Sequence, residues 1–395
     1  MKICIFGTSF FPQIGGSERF IDGLARNLHS NGHMVKVLVP NDNILATPYD
    51  VVPLRGLRLG VNQSSLIPIL LTNLILLHRH FKFEILQVVS FTPAGVAAHF
   101  FKKLHPEVKL IIRATGSDVQ FDSSIGYGLR LMPGIDAKLR QTVLVADACV
   151  ANSKSVGGEL IGLGAAKKTV IIPNGIDINR FEKSHIKRTV LRKEITGVTN
   201  GRIILSVGRI EVRKNYSLLL TAFAKIIPEI PKNVYLVIVG SRGKDLLPEI
   251  KKLKIQKRIK LLGTITPETN SLEYPAQKLI ELYLASELFA FPSLLEGQPN
   301  VLLEAMAARL PIVACNAPGS RDVVKNKKNG ELVKPALEAF STALLKLITS
   351  KSLRTNYSNY ASKEIDRYNW EKVVKKYEEL YSAPSVYCKN HALKS

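Results

Sequence analysis

The feature that most constrains this chain is a run of short apolar stretches bounded by turn residues, and the run occurs twice. In the first half the stretches are "KICIFG", "MVKVLVP", "FEILQVVS", "KLIIRATG", "ACVANS" and "TVIIPNG". Between the first two lies "GGSERFIDGLARNLHSNGH", where Phe20, Leu24 and Leu28, with Ile21 and Ala25, repeat at helical spacing and Gly32 marks the stop. Strands apolar on both faces, alternating with helices, predict parallel β/α units. After the polar connector "NGIDINRFEKSHIKRTVLRKEITGVTNG" the pattern restarts with "RIILSVGR", "VYLVIVGS", "IKLLGT", "LFAFPS" and "PIVACN". At 395 residues the chain is long enough for two cores. The reading is therefore two α/β domains, residues 1–178 and 179–369. Residues 370–395 add a final amphipathic helix, with Trp370, Val373, Val374, Tyr377 and Leu380 on one stripe, and a tail. Ligands of such sheets sit beyond the carboxyl ends of the strands, so two domains facing one another across a cleft would place a ligand there.

Charge and cysteine usage narrow the functional classes. Net charge is +23. Residues 1–178 hold 18 Lys+Arg and 12 Asp+Glu, a balance of +6, which leaves +17 for 179–395. The densest run, "RGKDLLPEIKKLKIQKRIK" from Arg242 to Lys260, could be a footprint for anionic lipid, polyanion or nucleic acid. A solvated helix face explains it equally, and no aromatic residue interrupts it to stack a base, so no nucleic-acid partner is expected. Cys4, Cys149, Cys315 and Cys388 are scattered, which argues against a disulfide framework or a cysteine zinc site and suits a reducing cytoplasm. The start "MKICIFGTSFF" lacks a small-residue cleavage site and reads as a strand, not a signal peptide. The stretch from Leu59 to Leu77 is uncharged, but Asn62, Gln63, Ser64, Ser65, Pro68, Thr72 and Asn73 interrupt it and the cationic "HRHFKF" follows. It is expected to be a buried or interfacial helix with its basic end at a lipid surface.

Several motifs sit just after predicted strands. Gly15-Gly16 stands where the first loop meets a helix, a place where backbone N–H groups approach an anion; an ordinary tight turn explains the pair as well. Neither G-x-G-x-x-G nor a Walker loop occurs. Arg209, after Gly208, and Lys214 put two cations at the exit of the second half's first strand, as a diphosphate would require, or as any chain rich in surface cations would show. In "LLEGQPNVLLEAMA", Glu296 falls on the loop after "FAFPS" and Glu304 about one turn into the next helix. A ligand with hydroxyls at both ends and phosphates between them would engage both carboxylates and the free N–H groups of Asn300 and Val301. An exposed helical Glu304 and a Glu296 that merely complements the helix dipole fit the spacing equally well.

Taken together, "FPQIGGSE", "IIPNGID" (Ile171 to Asp177), "VGRIEVRKN", "EGQPNVLLEAMA" and "RYNWEKVVKKYEELY" resemble, in order, the motifs of the retaining glycosyltransferases of family 4. The likeness runs along nearly the whole chain. It implies the GT-B architecture, α/β throughout, with two Rossmann-like doubly wound domains facing across a cleft: an amino-terminal acceptor domain, a carboxy-terminal nucleotide-sugar donor domain, and a closing helix that returns to the first. By the same resemblance Arg209 and Lys214 would hold the donor's diphosphate, Glu296 the transferred sugar and Glu304 the ribose. Backbone from Gln298 through Pro299 and Asn300 to Val301, with Gly15 and Gly16, would meet phosphate and sugar. Gly240, Gly263 and Thr264 would wall the base. The chain departs from the pattern where many relatives carry H-G-x-D: "ATGSD" puts Thr115 in the histidine's place, which leaves the part of Thr115 and Asp118 in sugar or acceptor binding open. Asp322, in "APGSRDVV", stands where the family often has Glu.

No D-x-D occurs, so no metal ligands for a diphosphate are evident; no cofactor is expected, and the nucleotide sugar is the donor substrate. Fixed cations and helix-start N–H groups would stabilise the leaving diphosphate instead. The implied function is sugar transfer with retention to a glycan or polyprenyl-linked acceptor, as in polysaccharide or lipopolysaccharide assembly, in the cytoplasm and at the anionic inner face of the cell membrane. A soluble-acceptor synthase and a nucleotide-sugar epimerase are the alternatives on the same scaffold; a basic nucleic-acid-binding protein is a distant one. Donor base, sugar and oligomeric state leave no readable trace in the sequence.

Overall fold

The computed structural model describes residues 1–11, 15–40, 46–55, 63–184, 187–267 and 272–384. They form two units, Ile176–Asn369 and a second composed of Met1–Gly175 with the chain's end from Trp370. The sequence-based boundary at residues 178 and 179 lies within three residues of the first division, and the second division coincides with Trp370.

The Met1–Gly175 unit holds a seven-stranded sheet of β1 (Lys2–Phe6), β2 (Met34–Val39), β3 (Asp50–Pro53), β4 (Ile85–Val89), β5 (Lys109–Arg113), β6 (Ala148–Ala151) and β7 (Thr169–Ile171), in the order β3-β2-β1-β4-β5-β6-β7. The Ile176–Asn369 unit holds β8 (Arg202–Val207), β9 (Val234–Val239), β10 (Ile259–Leu261), β11 (Leu288–Phe291), β12 (Ile312–Cys315) and β13 (Gly330–Val333), ordered β10-β9-β8-β11-β12-β13. Every pairing is parallel. In each sheet the order reverses beside the first strand, as in doubly wound folds, and loops leaving the strands there are where ligands gather. The central strands β4, β5, β6, β11 and β12 are buried along their whole length, which is why they read as mainly apolar runs; Gln87, Lys109 and Arg113, the exceptions, are hydrogen-bonded.

Two strands escaped the sequence reading. β3 and β13 are both four residues long and lie at sheet edges. Asp50 and Pro53 in "DVVP", and Gly330 and Glu331 in "GELV", leave each too short an apolar run to read as a strand, and edges tolerate such residues.

The closing helix Trp370–Ser382 packs within the first unit. Any side chain at Gly23 or Gly175 would begin 2.1 or 2.2 Å from the indole of Trp370, so both positions must lack one. Deeper in that unit Arg113, 2% exposed, lies 3.8 Å over the Phe20 ring. It donates to the Tyr377 hydroxyl at 2.9 Å, the Ile172 carbonyl at 3.2 Å and the Asn174 side chain. A buried guanidinium is tolerated because its donors are met in this way. The basic run of residues 242–260 buries Leu246, Ile250 and Ile255 and turns its lysines outward, the solvated face that the sequence left as one of two readings.

Pro68 lies inside the helix Gln63–Phe81, and no helix among the described residues is long and apolar enough to cross a membrane. Residues 59–62 of the uncharged stretch, Cys388, and residues 12–14 of the glycine loop fall outside the described residues.

Candidate active site

The carboxyl ends of β8 and β11 are adjacent in the second sheet, and the loops leaving them meet. The β8 loop turns through a short 3-10 segment, Val212–Lys214; the β11 loop carries Ser293 and Glu296. Leu294 N–H donates to the Arg213 carbonyl at 2.8 Å, which latches the two loops together. Side chains then converge. The Glu296 carboxylate receives Lys214 Nζ at 2.5 Å and Ser293 Oγ at 2.6 Å on Oε1, and Arg213 NH1 at 2.7 Å on Oε2. Glu296 is 7% exposed. Burial alone would raise its carboxyl pKa, but Lys214 and Arg213 outweigh that and hold it below the usual range. Burial draws the Lys214 ammonium below its ordinary value, against the pull of Glu296. The cluster is a charged group folded into the protein at high desolvation cost, with two cations on one anion.

Lys214 and Glu296, named from sequence for separate parts of a ligand, are thus brought into direct contact. Arg213 and Ser293 were missed. The signal for Arg213 was present in "VRKN", where it neighbours Lys214, but spacing cannot say that both adjacent cations turn inward. Arg209 behaves differently: its side chain is 68% exposed and its Nε lies 3.1 Å from Glu211 Oε1. Glu211 also receives Arg213 Nε, at 3.1 Å.

Following Glu296, the helix Asn300–Ala307 begins with Pro299 as its N-cap, and no side chain caps it there. Proline offers no side-chain acceptor, so the N-cap residue itself does not take a helix-start N–H. Gln298 is buried and Val301 half-buried beside it. Glu304 is 1% exposed and accepts the Tyr283 hydroxyl at 2.8 Å, so the reading of an exposed helical residue is corrected. Behind the loop, Gly319 has φ +79° and lies so close that a β-carbon would meet the Glu296 carbonyl oxygen at 2.5 Å. Asp322 accepts the Gly319 N–H at 3.2 Å and so holds that backstop in place.

The remaining predicted positions are scattered among other tasks. A β-carbon at Gly240 would meet the Gly208 carbonyl oxygen at 1.9 Å, so glycine there allows the exits of β8 and β9 to touch. Gly263 accepts the Gly240 N–H at 2.7 Å. Thr264 lines a cavity of about 820 Å³ with Leu191, Ile195, Leu262 and Ile265; Gly240, Lys214 and Glu296 are not among its described lining residues. In the first unit Gly15 is the N-cap of the helix Gly16–Ser30, and Glu18 places a carboxylate oxygen 2.6 Å from where a Gly15 side chain would start. The chain's own carboxylate therefore stands at the helix end where an anion was expected. Asp118, 1% exposed, takes the N–H groups of Thr115 and Gly116 at 3.0 Å each on Oδ1 and of Phe91 at 2.9 Å on Oδ2. Its task in this structure is to shape the loop after β5.

Residues 14–180 match the family model described as Glycosyltransferase Family 4, and residues 187–364 the one described as Glycosyl transferases group 1. The chain belongs to the family 4 glycosyltransferases. This family 4 glycosyltransferase is 32% identical over 224 residues to the UDP-Gal:alpha-D-GlcNAc-diphosphoundecaprenol alpha-1,3-galactosyltransferase of Escherichia coli, a match that spans 54% of each chain. The chain thus aligns with only about half of that relative's length. It is 23% identical over 95% of its own length and 84% of the relative's to the alpha-monoglucosyldiacylglycerol synthase of Streptococcus pneumoniae. Among solved structures, the sucrose-phosphate synthase of Thermosynechococcus elongatus matches with TM-score 0.80 at 18% identity, over 96% of this chain and 98% of that one. The fold of the family 4 glycosyltransferase is accordingly GT-B, with two Rossmann-like parallel-sheet units.

Proposed function

We propose that this glycosyltransferase transfers a sugar, with retention of anomeric configuration, from a nucleoside-diphosphate sugar to a lipid-linked glycan in cell-surface polysaccharide or lipopolysaccharide synthesis. The observation that carries the donor half is the buried Lys214–Glu296–Arg213 cluster set just ahead of a helix start that no side chain caps. A diphosphate placed there meets Lys214 and the backbone N–H groups of the helix start, while Glu296, already ionised, accepts hydroxyl protons of the sugar. Arg209, exposed and bound only to Glu211 among its described ion pairs, is the cation able to swing onto the phosphates. In the transfer step the bond from C1 to the phosphate oxygen breaks as the acceptor oxygen bonds C1 from the same face. The acceptor's proton passes to the departing phosphate oxygen. Protein cations, rather than a metal, take the charge in this scheme. Chelator that abolishes turnover, with magnesium restoring it, would overturn that element.

Two predictions follow from the donor grip and the acceptor. Arg209→Ala is expected to weaken nucleoside-diphosphate binding roughly tenfold in calorimetry, the scale of one solvent-exposed charge-assisted contact; unchanged affinity contradicts the role. UDP is the first nucleotide to test, because the E. coli relative is named for a UDP sugar. For the acceptor, the helix Gln63–Phe81 exposes Leu76, Arg79 and His80, and the helix Val96–Leu104, which packs on it, exposes Phe100, Lys103 and Leu104. Apolar side chains among cations suit an anionic bilayer surface, and this supports the reading of an enzyme that works at the inner face of the cell membrane. Co-sedimentation with phosphatidylglycerol vesicles at low salt is expected. Full transfer to a water-soluble acceptor, with no sedimentation, favours the soluble-acceptor synthase instead.

A further inference from the structure

We propose that the first unit carries a binding site for one divalent transition-metal ion of the zinc class, held by His78 Nε2, His105 Nδ1 and the Glu107 carboxylate. One ligand atom from each residue lies within 4.8 Å of the other two. Glu107 Oε1 is 3.2 Å from His105 Nδ1 and 3.7 Å from His78 Nε2. Two atoms bound to one tetrahedral zinc at its usual nitrogen and oxygen distances are roughly 3.3 Å apart, so these spacings are those of ligands before an ion draws them together. Imidazole and carboxylate are the donor types that zinc, nickel and copper share.

The local structure supports a built site over a chance meeting of side chains. His78 ends the helix Gln63–Phe81, while His105 and Glu107 lie on the turn between the helix Val96–Leu104 and β5. The side chain of His78 is 8% exposed, yet its Nδ1 has no hydrogen-bond partner and its Nε2 faces Glu107 at a distance beyond a hydrogen bond. With no hydrogen bond of ordinary length on Nε2, that nitrogen is left open to an ion lying between it and Glu107. Aromatic rings fix both imidazoles. Phe83 and Phe101 lie edge-on to His78 at 4.6 and 5.5 Å, and His105 stacks on Phe101 at 4.7 Å. Glu107, by contrast, is 62% exposed at its side chain, so an ion reaches the site from solvent and the third ligand is free to adjust. A bound ion ties the end of the Gln63–Phe81 helix to the neighbouring turn. The three residues belong to the Met1–Gly175 unit, whereas Lys214, Arg213 and Glu296 belong to Ile176–Asn369, and the site does not rest on the proposed reaction.

The test uses the untagged full-length protein, stripped with chelator and exchanged into phosphate-free buffer. Zinc chloride titrated by calorimetry is expected to bind with one equivalent per chain and to raise the melting temperature; cobalt is expected to give visible d–d bands. Glu107→Gln, an exposed position that should not disturb folding, and His105→Ala are each expected to weaken binding at least roughly tenfold. Glu378→Gln, which removes the carboxylate beside His33, is expected to leave binding unchanged. Absence of stoichiometric binding at about 100 μM zinc, roughly the weakest affinity worth calling a site, overturns the proposal. Binding that survives in the Glu107→Gln/His105→Ala double variant overturns it equally.

Discussion

Glu296→Ala is expected to lower turnover by at least about a hundredfold and to destabilise the carboxy-terminal unit by about 3–5 kcal/mol. The two losses have separate origins. Lys214 is paired in the interior by this one carboxylate, while Arg213 divides its charge between Glu296 and Glu211, so removal of Glu296 strands Lys214 above all in a medium that penalises charge. In the proposed reaction the acceptor for the sugar's hydroxyls is lost at the same time. Glu296→Leu combined with Lys214→Met distinguishes the effects, because apolar replacement of a buried pair is often neutral for stability. That double variant should melt closer to the parent than Glu296→Ala does, yet remain inactive. Recovery of transfer alongside stability would show that Glu296 only organises the loops. The pH profile has a worked sign. Because the folded-state pKa of Glu296 is depressed below its ordinary 4.5, its contribution is present above that value and disappears as acid takes the pH below it.

Gly319→Ala is the second large effect, expected at roughly 2–5 kcal/mol from two sources. At φ +79° a β-carbon is strained whatever the space, and here it would also press on the Glu296 main chain from 2.5 to 2.8 Å. The relief available is movement of the loop that carries Glu296. Displacement of about 1 Å in a positioning element can cost a hundredfold in rate, so kcat should fall while Arg209-dependent nucleotide affinity is less affected. Gly162→Ala, where a β-carbon meets nothing within 4 Å, serves as the control. Thermal denaturation and single-turnover transfer measure both quantities, and a Gly319→Ala enzyme with parental stability and rate contradicts the backstop.

The fold was legible because its strands are buried. β1, β4, β5, β8, β11 and β12 had to be written almost wholly in apolar residues, and the helices between them carry a one-sided apolar stripe. β3 and β13 were not legible, since an edge strand of four residues needs neither. The site was half legible. Lys214, Glu296 and Glu304 could be named because the loops they occupy follow strands of recognisable character. Their contact could not, because residues 82 apart in sequence meet only after β8 and β11 pair. Arg213 and Arg209 look alike in the sequence, and only burial separates them. The part of Asp118 was left open, and its three backbone N–H partners were not legible, since nothing in "ATGSD" reveals which N–H groups will face it.

The amino-acid sequence by itself determined the two parallel α/β units, the position of the division between them and the loops on which the chemistry would lie, because periodicity and turn chemistry are local properties. Tertiary structure alone decided that one buried carboxylate would hold two cations, that Gly319 would brace it, and that His78 would meet His105 and Glu107. Those relations depend on desolvation and on distances across strand pairings and helix packing, neither of which any local stretch of sequence contains.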